Sequence, residues 1–458
     1  MKDAQRESAQ SAPGQRSDAG RHALPPTGRD EMNRRSEVES TPTAGSFDLL
    51  DSRSGPACNP DRSEKGKDSS LVNSWTSGGN RRVLLLTLSF GSGHVRAAQA
   101  VAQQISVVAP DARTLVVDAL DECRALFRAL YVWPYWTMIR RAPALWNGLF
   151  AMRRRTQTKL SATAPAVLFE WGCAHVFRTI ESFAPDVIVA AEVAACEMAA
   201  LARRRNLTRA RIVAVITDHE TEPAWVKDEV DIYAVADERV GEQLSSWGAP
   251  PAAIHVTGIP TDMQRGTNIA AARARYGIAD DRPVILLMGG GMGPTHMDRV
   301  AAALCAAGEP LHLIAVAGRD RRIERALARI EPRSPTTLHR LGWTDDVPAL
   351  MQLAALLVSK PGGLTLAEAA NCALPAVLYD PIPGPEERNA RRYAAFGAAL
   401  LAQDAREAAA LALRLARDRR ERRRMSARMK LLASPEAARH IAQLALEAVS
   451  SARSGGRI

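Results

Sequence analysis

The stretch at positions 358–389 reads V-S-K-P-G-G-L-T-L-A-E-A-A-N-C-A-L-P-A-V-L-Y-D-P-I-P-G-P-E-E-R-N, and it indicates how the chain is organised. An apolar run leads into the Pro-Gly-Gly turn at 361–363, and residues 364–371 have the composition of a helix. A strand, a glycine turn and a helix start together form an anion site, because helix N-terminal N–H groups and the helix dipole favour negative charge and glycine lets a phosphate approach. Glu368 lies one turn after Thr365, where its carboxylate could accept hydrogen bonds from two ribose hydroxyls.

Two further stretches repeat this order of elements. Residues 83–88 form a continuous apolar run, as expected of a buried parallel strand, and a G-x-G turn and a small-residue helix over 97–105 follow. Residues 284–288 are equally apolar and run into the glycine-rich sequence at 289–293. A glycine turn alone is a common loop, but its repeated place between a strand and a helix predicts nucleotide-binding α/β units.

The composition describes a large, basic and mostly globular chain. With 458 residues, 46% of them hydrophobic, it can form two domains with sizeable cores. Its formal net charge of +10 predicts an anionic partner such as lipid headgroups or nucleotide phosphates, and no zinc-finger or RNA-binding motif supports nucleic acid as a partner. Residues 1–80 are rich in Ser, Gly, Pro, Arg and Asp, which predicts a disordered extension. A transit peptide is the alternative, although acidic residues recur there.

Cysteine usage and hydropathy bear on the compartment. The six cysteines are scattered without a C-x-x-C pair, which suits a reducing compartment and argues against a structural zinc or a disulfide framework. The chain has no run of 18 apolar residues and its N-terminus lacks an apolar signal core. We therefore expect neither a membrane span nor secretion.

Residues 124–155 mix tryptophan, tyrosine and phenylalanine with arginine. Such a mixture suits the headgroup boundary of an anionic bilayer. Pro134 and Pro143 are expected to break the segment, so that it lies on a membrane rather than crossing it. Two core helices with arginine-capped ends are the alternative. The candidate contacts with membrane or acceptor in this segment are Trp133, Trp136, Arg140, Arg141 and Trp146.

Several motifs along the chain are informative when taken together: G-x-G-H at 91–94, G-W-T-D-D at 342–346, K-P-G-G-L-T at 360–365, Glu368, and P-I-P-G at 381–384 with Glu386, Glu387 and Asn389. Together they resemble the glycosyltransferase family that contains plant monogalactosyldiacylglycerol synthases and bacterial processive diacylglycerol glucosyltransferases. The peptidoglycan N-acetylglucosaminyltransferase is a more distant relative. The resemblance spans about residues 82–402, which is most of the chain.

The resemblance implies a GT-B fold of the α/β class, as in glycosyltransferase family 28, with two doubly wound Rossmann-like domains facing across a cleft. It divides the chain into the disordered extension at 1–80, an acceptor- and membrane-binding domain at 81–260, a UDP-sugar-binding domain at 261–402, and C-terminal helices and tail at 403–458. In this architecture the terminal helix is expected to return across the first domain.

The resemblance also implies where the UDP-sugar binds. Glycine-turn N–H groups would hold the pyrophosphate, Arg319 would contact the base or a phosphate, and backbone near Trp343 would read uracil. Glu386 would accept from sugar hydroxyls, although Glu386 and Glu387 could instead be only a solvated helix start. The complete predicted UDP-sugar set is Gly91, Gly93, Gly289, Gly290, Gly291, Arg319, Trp343, Gly362, Gly363, Leu364, Thr365, Glu368, Gly384, Glu386 and Asn389.

Catalysis is assigned to His94 and Asp218. A lipid hydroxyl is a poor nucleophile until its proton is removed, and a neutral imidazole at a helix start is suited to removing it. His94 could alternatively be an exposed turn histidine. Asp218 follows the predicted strand at 211–216, so it could orient His94, line the acceptor pocket or cap a helix, and these roles stay open.

Two loops depart from the family's pattern. Its T-D-(aromatic)-x-x-H-x-x-W motif appears here with His219 at the aromatic position and Glu222 at the histidine position, whereas Trp225 matches. Glu222 and Trp225 are still predicted to face the acceptor, and His219 is a candidate replacement for the missing histidine. Pro385 stands where the family has glutamine beside the donor sugar, which leaves the sugar's identity open.

The sequence therefore predicts an inverting hexosyltransferase that moves a sugar from a UDP-sugar to a membrane lipid such as diacylglycerol. Helix dipoles and glycine-turn amides would stabilise the leaving UDP, so no metal or other cofactor is expected. The expected partners are the UDP-sugar, the lipid acceptor and an anionic membrane surface, and the expected location is cytoplasmic, peripherally bound to the inner face of the membrane. The alternatives are a UDP-sugar 2-epimerase and an inactive membrane-bound nucleotide-sugar binding protein.

Overall fold

The computed structural model describes residues 81–89, 91–142, 145, 148, 167–262, 268–289 and 295–454. The predicted extension at 1–80 lies outside these residues, and so do Gly290, Gly291 and Trp146. The side chains of Trp136 and Arg140 lie outside the described part as well.

The first half of the described chain forms a six-stranded parallel sheet in the order β2-β1-β3-β4-β5-β6. Leu84 of the first strand stands beside Ile188 of the third, and the inner strands are buried on both faces, as the continuous apolar runs predicted. The strands are β1 Arg82–Thr87, β2 Arg113–Asp118, β3 Val187–Ala190, β4 Arg211–Val215, β5 Ile232–Val235 and β6 Ile254–Val256.

Helices connect these strands and cover the sheet. Carboxylates cap some of them: Asp118 accepts from Leu120 N, and Asp237 accepts from Val240 N. The helices are α1 Ser92–Val108, α2 Ala119–Glu122, α3 Ala125–Arg141, α4 Ala174–Phe183, α5 Val193–Arg204 and α6 Glu238–Ser246, with 3₁₀ turns at Pro223–Trp225 and Pro251–Ala253 and a further helical stretch at 167–172.

The second half forms another six-stranded parallel sheet, in the order β12-β11-β10-β7-β8-β9. Its strands are β7 Val284–Met288, β8 His312–Val316, β9 Thr337–Leu341, β10 Leu356–Ser359, β11 Ala376–Leu378 and β12 Ala399–Leu401. Its helices are α7 Ile269–Arg275, α8 Met297–Ala307, α9 Arg321–Ala328, α10 Val347–Leu353, α11 Gly363–Asn371, α12 Pro385–Ala395, α13 Ala405–Arg417, α14 Arg419–Lys430 and α15 Ala437–Ser454. The predicted pair of doubly wound α/β domains is confirmed.

Each sheet has one point where the chain changes direction along the strand order. In the first sheet it lies between β1 and β3, and in the second between β7 and β10. Ligands of open α/β sheets bind outside the carboxyl ends of the strands at such points. The first glycine turn follows β1 and the Pro-Gly-Gly turn follows β10, so the sequence motifs lie at these points.

The C-terminal helix α15 returns to the first sheet, as the architecture predicted. Its Ile441, Ala445 and Val449 are buried in the same cluster as Val83 of β1 and Val101 of α1. Because these side chains lie in a shared core, α15 ties the end of the chain to the first domain.

Two local expectations are wrong. Pro134 lies inside the continuous helix α3 and does not break it. Aromatic packing holds the first half of the helix in place: Phe127 and Tyr131 stack on each other, and Phe169 packs against both rings at an angle. Cys123 and Cys173 form a disulfide, although the cysteine spacing argued against one.

The fold explains why the spacing missed this disulfide. Arg124 N donates to Gly172 O at 2.8 Å. This contact brings the neighbouring Cys123 and Cys173 together, although they are 50 residues apart in the sequence. Cys196 and Cys305 are buried free thiols, and Cys372 is half-buried.

Candidate active site

A cavity of about 550 Å³ lies between the carboxyl ends of the two sheets. The turn after β1, the loops after β3 and β4, the Pro-Gly-Gly turn after β10 and the loop after β11 all contribute to its walls. Most of the predicted site residues that the structure describes therefore converge on one place.

His94 lies in the first turn of α1 and lines this cavity. Its Nδ1 is 3.1 Å from the Ala191 carbonyl oxygen and 2.8 Å from the Thr217 hydroxyl. Because a carbonyl only accepts, these partners assign the proton to Nδ1 and leave Nε2 as the basic nitrogen. Burial lowers the pKa of His94, so the imidazole is neutral near pH 7.

One predicted role of Asp218 was to orient His94, but the side chain that contacts the imidazole is that of Thr217. The Asp218 carboxylate accepts from the Asn389 amide at 3.1 Å, and Asn389 also donates to Pro361 O at 3.2 Å. Burial raises the pKa of Asp218 to about 7 despite the hydrogen bond from Asn389. Asp218 caps no described helix and lines the cavity, which leaves the pocket-lining role.

The Pro-Gly-Gly turn brings the start of α11 to the cavity. Gly362 is the N-cap of this helix, so the first N–H groups of α11 lack carbonyl partners in their own helix. Lys360, which is buried, has its ammonium 4.0 Å from the Glu386 carboxylate. A helix N-terminus beside a buried cation favours a bound anion.

Glu368 is buried one turn further along α11 and lines the cavity. Burial raises its pKa to about 7, and the Arg96 guanidinium of α1 partly opposes this rise. Arg96 lies two residues after His94, so a charge on the first domain acts on the pKa of the predicted ribose ligand.

The far end of the cavity carries a flat, partly exposed surface. The Arg319 guanidinium stacks over the Trp343 ring at 4.3 Å, and Trp343 is 43% exposed. This pair can cover one face of a nucleobase. Asp320, next to Arg319, caps α9 by accepting from Arg322 N and Ile323 N.

The loop after β11 turns at Gly384, whose φ of 100° is a value that favours glycine. The Glu386 carboxylate accepts from Ile382 N at 2.6 Å and lines the cavity, and burial raises its pKa. Glu387 instead lies near Arg391, 3.9 Å away on the helix surface. The two adjacent glutamates therefore occupy different environments, and of the two it is Glu386 that lines the cavity.

One wall of the cavity contains a buried acidic residue that the sequence analysis missed. Glu192 lies two residues after the end of β3, is buried, and accepts from Ala194 N at 2.7 Å and Ala195 N at 3.1 Å. Burial raises its pKa to about 7, and the neighbouring Glu222 adds to the rise. The signal that could have found Glu192 is its position at the carboxyl end of a buried strand.

Glu222 and Trp225 line the same side, as predicted, but His219 does not reach it. His219 is buried between the two halves of the chain, where its Nε2 is 3.0 Å from the Tyr393 hydroxyl and its Nδ1 is 3.6 Å from Asp237. His219 therefore does not replace the missing acceptor histidine.

Helix α3 forms another wall of the cavity through Tyr131 and Met138. Its outer side carries large exposed apolar groups at helical spacing: Leu126 is 58% exposed, Leu130 57% and Trp133 61%. Arg141 at the end of the helix is exposed. One helix thus lines the cavity and presents apolar surface to solvent.

The described residues contain neither a membrane-spanning helix nor a cluster of metal-ligating side chains. None of the described helices is long and apolar enough to cross a membrane. Within the same part of the chain, no three His, Cys, Asp or Glu side chains cluster as metal ligands would.

Comparison with known proteins agrees with the motifs. Residues 94–261 match the family model described as monogalactosyldiacylglycerol (MGDG) synthase. The chain is 24% identical over 327 residues to the processive diacylglycerol beta-glucosyltransferase of Bacillus pumilus (strain SAFR-032), covering 70% of this chain and 83% of that protein. The protein of the same name from Bacillus thuringiensis (strain Al Hakam) is 24% identical over 372 residues, or 80% of this chain and 94% of that one. The resemblance to this family is confirmed.

Comparison with solved structures identifies proteins that share the fold of this chain. MurG of Acinetobacter baumannii superposes with a TM-score of 0.52 at 16% identity, covering 80% of this chain and 99% of that one. UDP-GlcNAc 2-epimerase of Neisseria meningitidis gives a TM-score of 0.52 at 12% identity, covering 80% and 100%. The predicted GT-B fold is therefore confirmed. Because MurG and a UDP-GlcNAc 2-epimerase match equally well, the fold alone does not select the activity.

Proposed function

We propose that this chain is an inverting hexosyltransferase that moves a sugar from a UDP-sugar to the hydroxyl of a membrane lipid of the diacylglycerol type. The observation that carries the proposal is the placement of His94, a neutral histidine with a basic Nε2, in the lining of the same cavity as the α11 anion turn. The sequence relatives named above are diacylglycerol glucosyltransferases, which supports the lipid acceptor.

In the proposed reaction His94 Nε2 takes the proton of the acceptor hydroxyl as the oxygen attacks the anomeric carbon from the face opposite UDP. Thr217 and Ala191 hold the imidazole in the tautomer that this step needs. The glycosidic bond to the β-phosphate breaks, and its electrons go to UDP. The N-terminus of α11 and buried Lys360 stabilise the negative charge that UDP gains, so the proposal needs no metal.

The donor lies mainly against the second sheet. The base stacks at Arg319 and Trp343, the ribose hydroxyls meet Glu368, and the sugar meets Glu386. The acceptor enters on the side of Glu192, Glu222 and helix α3.

The exposed face of α3 is proposed to dock on an anionic membrane at its inner leaflet. Apolar side chains next to arginine suit the headgroup boundary, and the cavity wall formed by Tyr131 and Met138 belongs to the same helix. A lipid headgroup could therefore pass from the bilayer to His94 along one helix. This placement supports a peripheral protein that works on the membrane surface.

The test is UDP release by the purified chain with anionic liposomes containing diacylglycerol. UDP-glucose, UDP-galactose, UDP-N-acetylglucosamine and UDP-glucuronate are offered separately, with and without EDTA. Release that requires the lipid and one sugar, and that EDTA leaves unchanged, is the expected result. A 2-epimerised UDP-sugar formed without lipid would instead identify an epimerase, and UDP binding without turnover on any combination would identify an inactive binding protein.

A further inference from the structure

His296 and Asp380 form a pair at the carboxyl edge of the second sheet, outside the residues assigned so far. His296 precedes α8, and Asp380 follows β11. One carboxylate oxygen of Asp380 lies 2.6 Å from His296 Nδ1 and accepts from His296 N at 3.0 Å. The carboxylate therefore fixes both the backbone and the ring of His296.

Capping of α8 alone does not account for this pair. Met297 N donates to the Thr295 hydroxyl at 3.1 Å, and the backbone N–H of His296 would satisfy Asp380 without its ring. The additional ring contact orients the imidazole so that Nε2 points away from Asp380. His296 keeps 49% of its side-chain surface exposed, so this nitrogen is accessible.

The backbone of Asp380 is also unusual. Its φ of 48° lies in the left-handed region, which non-glycine residues adopt uncommonly, although Asp and Asn tolerate it best. Such conformations concentrate at ligand sites, where the surrounding structure holds them in place. Ile382 and Pro383, which follow Asp380 closely, line the cavity.

The strand order places this pair relative to a bound nucleotide. The base end of the cavity lies at the loops after β8 and β9, which carry Arg319 and Trp343. The contact from His296, after β7, to Asp380, after β11, spans the end of β10, where α11 begins. A diphosphate that leads from the base to the start of α11 would therefore run along the edge of the sheet that carries this pair.

We propose that His296 donates from Nε2 to an oxygen of the terminal phosphate of a nucleoside diphosphate, while its Nδ1 donates to Asp380. The proposal rests on the proposed function, because it presumes that the donor nucleotide lies along α11. His296 is then a donor-binding residue, and Asp380 is a positioning residue that acts through it. The ring would then make charge-assisted hydrogen bonds to the Asp380 carboxylate on one side and to the phosphate on the other.

The test compares the affinities of UDP and UMP by titration calorimetry. His296→Ala is expected to weaken UDP binding about 10-fold, as for loss of one charge-assisted hydrogen bond, and to leave UMP binding unchanged. His296→Gln should recover part of the loss, because its amide can donate to the phosphate. Asp380→Asn keeps a residue that tolerates the left-handed backbone and should weaken UDP binding less than His296→Ala does.

Unchanged UMP binding also serves as the folding control for each variant. Equal losses for UDP and UMP, or no loss for either, would overturn the assignment. A loss seen only with the complete UDP-sugar would overturn it too and place His296 at the sugar. If the wild-type chain binds neither nucleotide, the proposed function itself fails, whereas wild-type UDP binding with an unaffected His296→Ala variant defeats this inference alone.

Discussion

Gly363 of α11 lies so close to Thr217 that a Cβ added to Gly363 would stand 2.2 Å from the Thr217 carbonyl oxygen. The two residues belong to different domains, since Thr217 follows β4 and Gly363 begins α11, and Thr217 also contacts the His94 imidazole. The anion turn of the second domain and the catalytic histidine of the first are therefore positioned by one direct backbone approach.

Replacing Gly363 by alanine should consequently separate the two domains at the site. We expect a loss of turnover of at least about 10-fold, because misplacement of reacting groups by an ångström is costly in catalysis. Stability should fall by roughly 1–3 kcal/mol, as for other overpacked sites. Steady-state kinetics and thermal unfolding measure the two effects.

Gly93→Ala is the matched comparison, since its Cβ would meet Leu364 Cβ across the same interface at an ordinary 3.5 Å. Its unfolding midpoint should stay close to that of the wild type. Equal destabilisation by both alanines would show that the close approach of Gly363 does not matter.

His94→Ala should lower kcat by about 10²–10⁴-fold if His94 is the general base. UDP affinity should change little, because the imidazole faces the acceptor hydroxyl in the proposed reaction. We expect Thr217→Ser to retain more activity than Thr217→Val, because serine keeps the hydroxyl that contacts His94 Nδ1. The opposite order would show that the hydroxyl is dispensable. Nearly intact turnover in His94→Ala would remove the base assignment.

The pH profile follows from the same histidine. Only the neutral imidazole accepts a proton, and burial lowers the pKa of His94. Activity should therefore persist as the pH falls to the ordinary histidine pKa of about 6.5 and decline only below it. A decline that already begins above neutrality would contradict a His94 base with a lowered pKa.

The sequence predicted the strands and glycine turns well because their signals are local. Buried parallel strands are continuous apolar runs, and Gly91, Gly362 and Gly363 follow them directly. Contacts between distant segments carried no such signal. The Cys123–Cys173 disulfide depends on the contact between the start of α3 and the helical stretch at 167–172. The burial of His219 depends on Tyr393, which is 174 residues away.

The same limit applies to the site. Its glycine turns and charged residues could be named from motifs, but the hydrogen bond of Thr217 to His94 joins residues 123 positions apart. Glu192 was missed because a single acidic residue after a strand is common, and only its burial beside Glu222 distinguishes it.

Glu368→Gln should change stability in a pH-dependent way. Burial raises the pKa of Glu368 to about 7 in the folded chain, from an ordinary value of 4.5. The folded state therefore binds more protons, and the wild type loses stability as the pH rises from about 4.5 to about 7. Glutamine removes this penalty, so the variant should gain on the order of 1–3 kcal/mol relative to wild type at pH 8 and little at pH 4.5.

The gain should be accompanied by weaker UDP binding, because a neutral amide accepts less strongly from ribose hydroxyls than a carboxylate does. Chemical denaturation at the two pH values and calorimetric titration with UDP measure the two effects. A stability difference that is equal at both pH values would contradict the raised pKa.

The exposed side of α3 is the surface on which the membrane proposal depends. Trp133→Ser combined with Leu130→Ser removes two side chains that are 61% and 57% exposed. Since these groups already face solvent, the free energy of unfolding should change by less than about 0.5 kcal/mol. Binding to anionic liposomes should weaken by about 10-fold or more, because a buried apolar side chain contributes roughly 1.5–3 kcal/mol.

Leu431→Ser is the matched control, since Leu431 is 69% exposed but lies after α14 in the other half of the chain. Liposome cosedimentation distinguishes the two surfaces, and turnover on lipid acceptor should fall with binding only for the α3 variant. The interpretation of α3 as a docking helix predicts one more difference: turnover on a short-chain, water-soluble acceptor should be retained by both variants. If that activity disappears together with liposome binding, the exposed side of α3 supports the cavity wall at Tyr131 and Met138 rather than a membrane contact.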